Sequence, residues 1–102
     1  MERRLEFRNK LTDVTGLQHL YFNPPETIKL EYPCIIYQRQ NGDSKYADDK
    51  LYRYIKSYTV TVIDKNPDSE IPRNIQEAFE LCQFERFFVS DNLNHWVLRI
   101  YY

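Results

Sequence analysis

The chain has 102 residues, 14 Lys and Arg against 15 Asp and Glu for a formal net charge of −1, and 16% aromatic side chains. That length fits one domain, with enough core to fold without a metal or a disulfide staple. The balanced charge gives no support to strong binding of phosphate backbones, and no apolar run approaches the ~18 residues of a membrane span.

The spacing predicts a first helix over 2–14, with Leu5, Phe7, Leu11 and Val14 as an apolar stripe and Gly16 as its stop. Residues 19–22 read as a short extended piece that Asn23-Pro24-Pro25 must interrupt. Residues 33–40 form the first firm strand, because Cys34-Ile35-Ile36-Tyr37 is too short for a helix and rich in β-formers. Turn residues follow at Asn41-Gly42-Asp43-Ser44, and the polar stretch runs on to Lys50, longer than a tight hairpin requires.

Residues 51–64 alternate. Tyr54, Lys56, Tyr58, Val60 and Val62 share one face, and Ile55, Ser57, Thr59, Thr61 and Ile63 the other, so this strand pairs with the preceding one as an antiparallel hairpin. A second helix is expected over 69–81, with Ser69 as N-cap, Pro72 in the first turn, and Ile71, Ile75, Ala78, Phe79 and Cys82 on one face. Residues 84–89 make a strand, Ser90-Asp91-Asn92 a turn, and 94–102 a last strand. In that strand Trp96, Leu98, Ile100 and Tyr102 oppose His95, Val97, Arg99 and Tyr101. The expected class is α+β: a mostly antiparallel sheet of about four strands with two helices on one face, in a single domain spanning 1–102.

Chemical motifs are scarce. Two glycines, Gly16 and Gly42, cannot build a phosphate-cradling loop. His19 and His95 stand in no metal-ligand spacing, and neither a metal nor an organic cofactor is expected. A strand histidine with one satisfied hydrogen bond is the plain reading of His95. A catalytic pairing of His95 with Cys34 or Cys82 requires proximity that a sequence does not show. The two cysteines lack CxxC spacing and read as small buried hydrophobes, with a disulfide or redox pair as the alternative. Asp43, Asp48 and Asp49 do not match a calcium loop. The tyrosines of 52–58, with Arg53 and Lys56 nearby, invite comparison with single-strand binders, but the glycine-bearing RRM signature is missing. No enzyme activity and no sequence-specific nucleic-acid binding are expected.

Several runs taken together resemble a known family. They are Tyr32-Pro33-Cys34-Ile35-Ile36-Tyr37, Tyr46-Ala47-Asp48, Tyr58-Thr59-Val60-Thr61-Val62-Ile63-Asp64, and Pro67-Asp68-Ser69. Further on stand Phe84-Glu85-Arg86-Phe87, Asp91-Asn92-Leu93-Asn94-His95-Trp96 and Ile100-Tyr101-Tyr102. The pattern, over residues 32–102, is similar to the tail terminator or tail-to-head joining proteins of long-tailed phages and prophages of Gram-positive bacteria. The resemblance implies a structural subunit that forms a homo-oligomeric ring, commonly a hexamer, at the head-proximal end of the tail. Its partners would be the tail-tube protein and the head connector protein. Its location would be the virion, after synthesis in the bacterial host cytoplasm.

A closed ring needs two different faces on each subunit. The loop 41–50, with Tyr46, Asp48, Asp49 and the adjoining Tyr52, is the candidate for one. The strand edges near Asp91 to Asn94, with Asp91 and Asn92 as the contact residues, are the weaker candidate for the other. The rival readings are a monomeric adaptor or inhibitor domain that binds a host or phage protein through the same aromatic surface, and a small enzyme or nucleic-acid binder with an unrecognised site.

Overall fold

Helix α1 (Glu2–Thr15) exists because Phe7, Leu11 and Val14 recur at i, i+4 and i+7, which puts all three on the core side. Phe7 and Leu11 are fully buried. Leu5 is not part of that stripe, since two residues along a helix is about 200° around it, and its side chain is 56% exposed. Gly16 ends the helix at φ +70, donating its N–H to the Thr12 carbonyl at 2.8 Å. The computed structural model describes residues 2–25, 27–40 and 57–102.

Among the described residues the sheet has five strands rather than four: β1 (Leu20–Phe22), β2 (Cys34–Gln40), β3 (Ser57–Asp64), β4 (Cys82–Ser90) and β5 (Leu93–Tyr101). Their spatial order is β1-β2-β3-β5-β4. The short extended piece is a true strand. It pairs parallel to β2 in the register Leu20↔Ile35 and Phe22↔Tyr37, and Ile35 N–H to the His19 carbonyl at 2.9 Å is one rung. A parallel neighbour cannot be reached by a tight turn, so residues 23–33 carry the chain back. The left-handed backbone of Asn23 (φ 45) begins that return, and a cis Tyr32–Pro33 peptide leads into β2. All other pairings are antiparallel.

Helix α2 (Ile71–Ala78) is shorter than the periodicity suggests. Phe79 is already extended (φ −108, ψ 128), because the chain must turn toward the sheet edge where Cys82 begins β4. Ser69 is not the N-cap. That position belongs to Glu70, and the Ser69 hydroxyl instead accepts from the Ile71 N–H at 3.3 Å, closing a local turn.

Cross-strand partners share a face, so the registers sort the core. Ile35 and Tyr37 of β2, Tyr58, Val60 and Val62 of β3, and Leu98 and Ile100 of β5 lie on the side that receives α1 and α2. Phe7, Leu11, Ile75 and Phe79 come down on them. Phe7 is the hub: its ring stacks on Tyr58 at 4.2 Å and meets Tyr37, Phe79 and Tyr102 at 5.9, 5.5 and 5.4 Å. The opposite face also buries side chains, namely Cys34, Ile63 and Val97. No helix among the described residues is long and apolar enough to cross a membrane.

Candidate functional site

The most unusual surface is built by the last two strands. Asp91 and Asn92 both hold positive φ (54 and 63), and Ser90 faces Leu93 across them. Two left-handed residues in a two-residue loop match the twist of the strands they join, which makes β4–β5 a tight hairpin. Asn94 locks this hairpin to the body. It is buried, and its side-chain amide donates to the carbonyls of Asp64 and Lys65 at 3.2 and 3.3 Å.

β4 thereby becomes the outer edge of the sheet, nine residues long. Past Cys82 all its side chains are exposed, including Phe84 at 46%, Phe87 at 46%, Phe88 at 37% and Val89 at 59%. Phe87 leans on Trp96 (5.3 Å) and Phe88 stacks on His95 (4.5 Å), so each ring covers one side and shows the other to solvent. Between Phe84 and Arg86 the register shifts at a bulge. There Glu85 stands 3.0 Å from Arg99, a partly exposed charge contact worth no more than about 1 kcal/mol. Arg86 lies over the Phe88 ring at 5.2 Å. A long apolar edge strand is a template for another strand, which natural proteins usually blunt. Here the blunting consists of one bulge and two charged residues.

Of the sequence-predicted contact residues, Asp91 and Asn92 form the exposed hairpin turn at the tip of this edge. Tyr46, Asp48, Asp49 and Tyr52 lie outside the described residues, as does the loop 41–50. Sequence reasoning passes over the aromatic residues of β4 as contact candidates. Phe84-Glu85-Arg86-Phe87-Phe88-Val89 reads as an ordinary half-buried strand until its place at the edge is known.

The registers also separate His95 from both cysteines. Cys34 faces Ile63 and Ile63 faces His95, so a whole strand, roughly 10 Å, stands between Cys34 and His95. Cys82 pairs with Ile100, on the opposite face from His95. His95 Nδ1 donates to the Leu93 carbonyl at 3.0 Å, the single satisfied hydrogen bond expected of a strand histidine. Burial pushes the Cys34 thiol up to about 11, far from the range of a nucleophilic thiolate, and it raises Cys82 as well. Both cysteines are free thiols. Among the described residues no three His, Cys, Asp or Glu side chains gather where a metal ion would sit. A shallow pocket of about 260 Å³ lies between Lys10 of α1, the Phe79–Leu81 segment that leads into β4, and Tyr101 and Tyr102, and there Lys10 reaches over Phe79 (4.6 Å) and Tyr102 (5.7 Å). It is open, and the Lys10 ammonium is already engaged by the two rings.

Comparison with protein families, with curated proteins and with solved structures finds no match.

Proposed function

We propose that this protein is a structural subunit of virion assembly, a tail terminator or head–tail joining protein that forms a ring at the head-proximal end of a phage tail. The observation that carries the reading is the aromatic edge strand β4. It offers Phe84, Phe87, Phe88, Val89 and a row of peptide groups on a face that a lone chain leaves in water. Apolar, aromatic-rich surface of this kind is what protein–protein contacts bury. A tail-tube protein and a head connector protein are the proposed partners, with the ring most naturally a hexamer.

The test is assembly. Purified protein added to tail tubes that lack their cap should decorate one end only, seen by negative-stain electron microscopy, and should stop further tube growth. Tail-tube and connector genes on either side of this one would point the same way. Tubes that stay bare, with the protein bound instead to a host protein, would replace this reading with the adaptor or inhibitor.

A further inference from the structure

We infer that in solution β4 pairs antiparallel with β4 of a second copy of this chain, about a two-fold axis that passes between Glu85 and Arg86. The inference concerns the free protein and does not depend on the virion reading.

The backbone sets the first condition. The Tyr101 N–H donates to the Leu81 carbonyl at 2.9 Å. In an antiparallel pair, hydrogen-bonded positions alternate. So Tyr101, Arg99, Val97, His95 and Leu93 turn their peptide groups toward β4, where they engage Leu81, Gln83, Arg86, Phe88 and Ser90. The peptide groups of Cys82, Phe84, Phe87 and Val89 therefore point outward. No strand among the described residues meets them.

The side chains set the second. Cys82 and Phe84 oppose Ile100 and Leu98, while Phe87 and Val89 oppose Trp96 and Asn94, so all four stand on the helix-bearing face. The bulge at Glu85 makes this possible, because without it Phe84 and Phe87 would point to opposite sides. Let a second β4 run antiparallel with Phe84 opposite Phe87 of the second copy. Cys82 then falls opposite Val89, outward peptide against outward peptide, same face against same face. Gln83 falls opposite Phe88, both with inward peptides and both on the other face. At the centre Glu85 meets Arg86 of the second copy, and Arg86 meets its Glu85.

No neighbouring register does this. A slip of one residue sets Phe84 against Phe88, which mismatches both peptide direction and face. A slip of two in either direction loses both Glu85–Arg86 pairs. The strand is thus complementary to itself in one alignment, with charge, aromatic and backbone complementarity coinciding. The sheet's other edge offers no equal, since β1 is three residues long against nine. A two-fold contact closes at two copies, so the free dimer and a contact of β4 with a ring neighbour or tail partner exclude each other, and assembly through β4 would have to open the dimer.

The experiment combines light scattering over a concentration series with a designed crosslink. Val89→Cys, at a well-exposed position, places a thiol opposite Cys82 of the second copy. Under mild oxidation it should yield a covalent dimer on a non-reducing gel. The native chain and the Val89→Cys/Cys82→Ser double variant should yield none. Native protein should pass from monomer to dimer as concentration rises. Arg86→Glu sets a second carboxylate against Glu85 of the other copy, twice per dimer, and should raise the dissociation constant at least tenfold. Mixing it with Glu85→Arg chains should restore pairing as a heterodimer. A monomer at every concentration, a dimer that Val89→Cys does not crosslink, or a dimer indifferent to Arg86→Glu would overturn the proposal. A closed oligomer near six without the crosslink would overturn it while favouring the ring.

Discussion

Replacing Phe7 with alanine tests the packing logic at its centre. The ring is fully buried and touches four other aromatic rings, the nearest stacked on it at 4.2 Å. A Phe→Ala change in a core costs about 3–5 kcal/mol, the lost transfer energy plus the cavity. The upper half of that range applies here, since aromatic pairs add about 0.5–1.5 kcal/mol beyond area and rings anchored in a sheet collapse poorly into a void. A domain of this size has about 5–15 kcal/mol in all, so the variant should lose about a third of its stability or more. Urea unfolding followed by circular dichroism reads this directly, with Leu5→Ala on the same helix as control. Leu5 is mostly exposed, and its loss should stay within about 0.5 kcal/mol. A cost for Phe7→Ala below about 1.5 kcal/mol, well under the range for a buried ring, or equal costs at the two positions, would refute the placement of α1.

Further outcomes follow from single groups. The Tyr58 hydroxyl is buried and finds no partner among the described residues, so Tyr58→Phe should leave stability unchanged or raise it by about 1 kcal/mol in the same urea titration. Asn92→Gly suits the left-handed turn (φ 63) and should stabilise by about 0.5–1 kcal/mol, whereas Gly16→Ala, at φ +70 with open space around it, should cost about 1 kcal/mol through backbone strain alone. Cys34 keeps its proton in the folded state to about pH 11 but loses it near the ordinary thiol value of 9.0 when unfolded. The unfolded state then binds fewer protons, so this contribution is intact below about pH 9 and is lost between about 9 and 11. Native protein should accordingly lose stability over that window more steeply than Cys34→Ala. In thiol labelling of the native protein, half-buried Cys82 should react well before Cys34.

How much of this is legible in the chain follows the range of the forces involved. The elements come from near-neighbour effects. Phe7, Leu11 and Val14 at helical spacing, Gly16 at the helix end, alternation through Tyr58, Val60 and Val62, and Asp91-Asn92 between two strands each act within a few residues. Where local signals compete, the boundaries move: α2 ends at Ala78 although Phe79 and Cys82 continue the apolar spacing, because the chain turns at Phe79 so that Cys82 can begin β4. Leu5 is apolar enough for the stripe, but the helix faces the core through Phe7.

Local sequence was enough to set the class of fold, the hairpin turn and most of the core. Which strands lie side by side was settled only in the assembled fold. Nothing local to Leu20-Tyr21-Phe22 states that it pairs parallel to β2, and nothing in Phe84-Glu85-Arg86-Phe87 states that it lies at an edge. Partner choice between strands depends on contacts far apart in the chain, as when Asn94 ties the last hairpin to Asp64 and Lys65. Similar aromatic residues therefore become core in Tyr37 and Tyr58 and open surface in Phe84 and Phe87, according to whether another strand stands beside them.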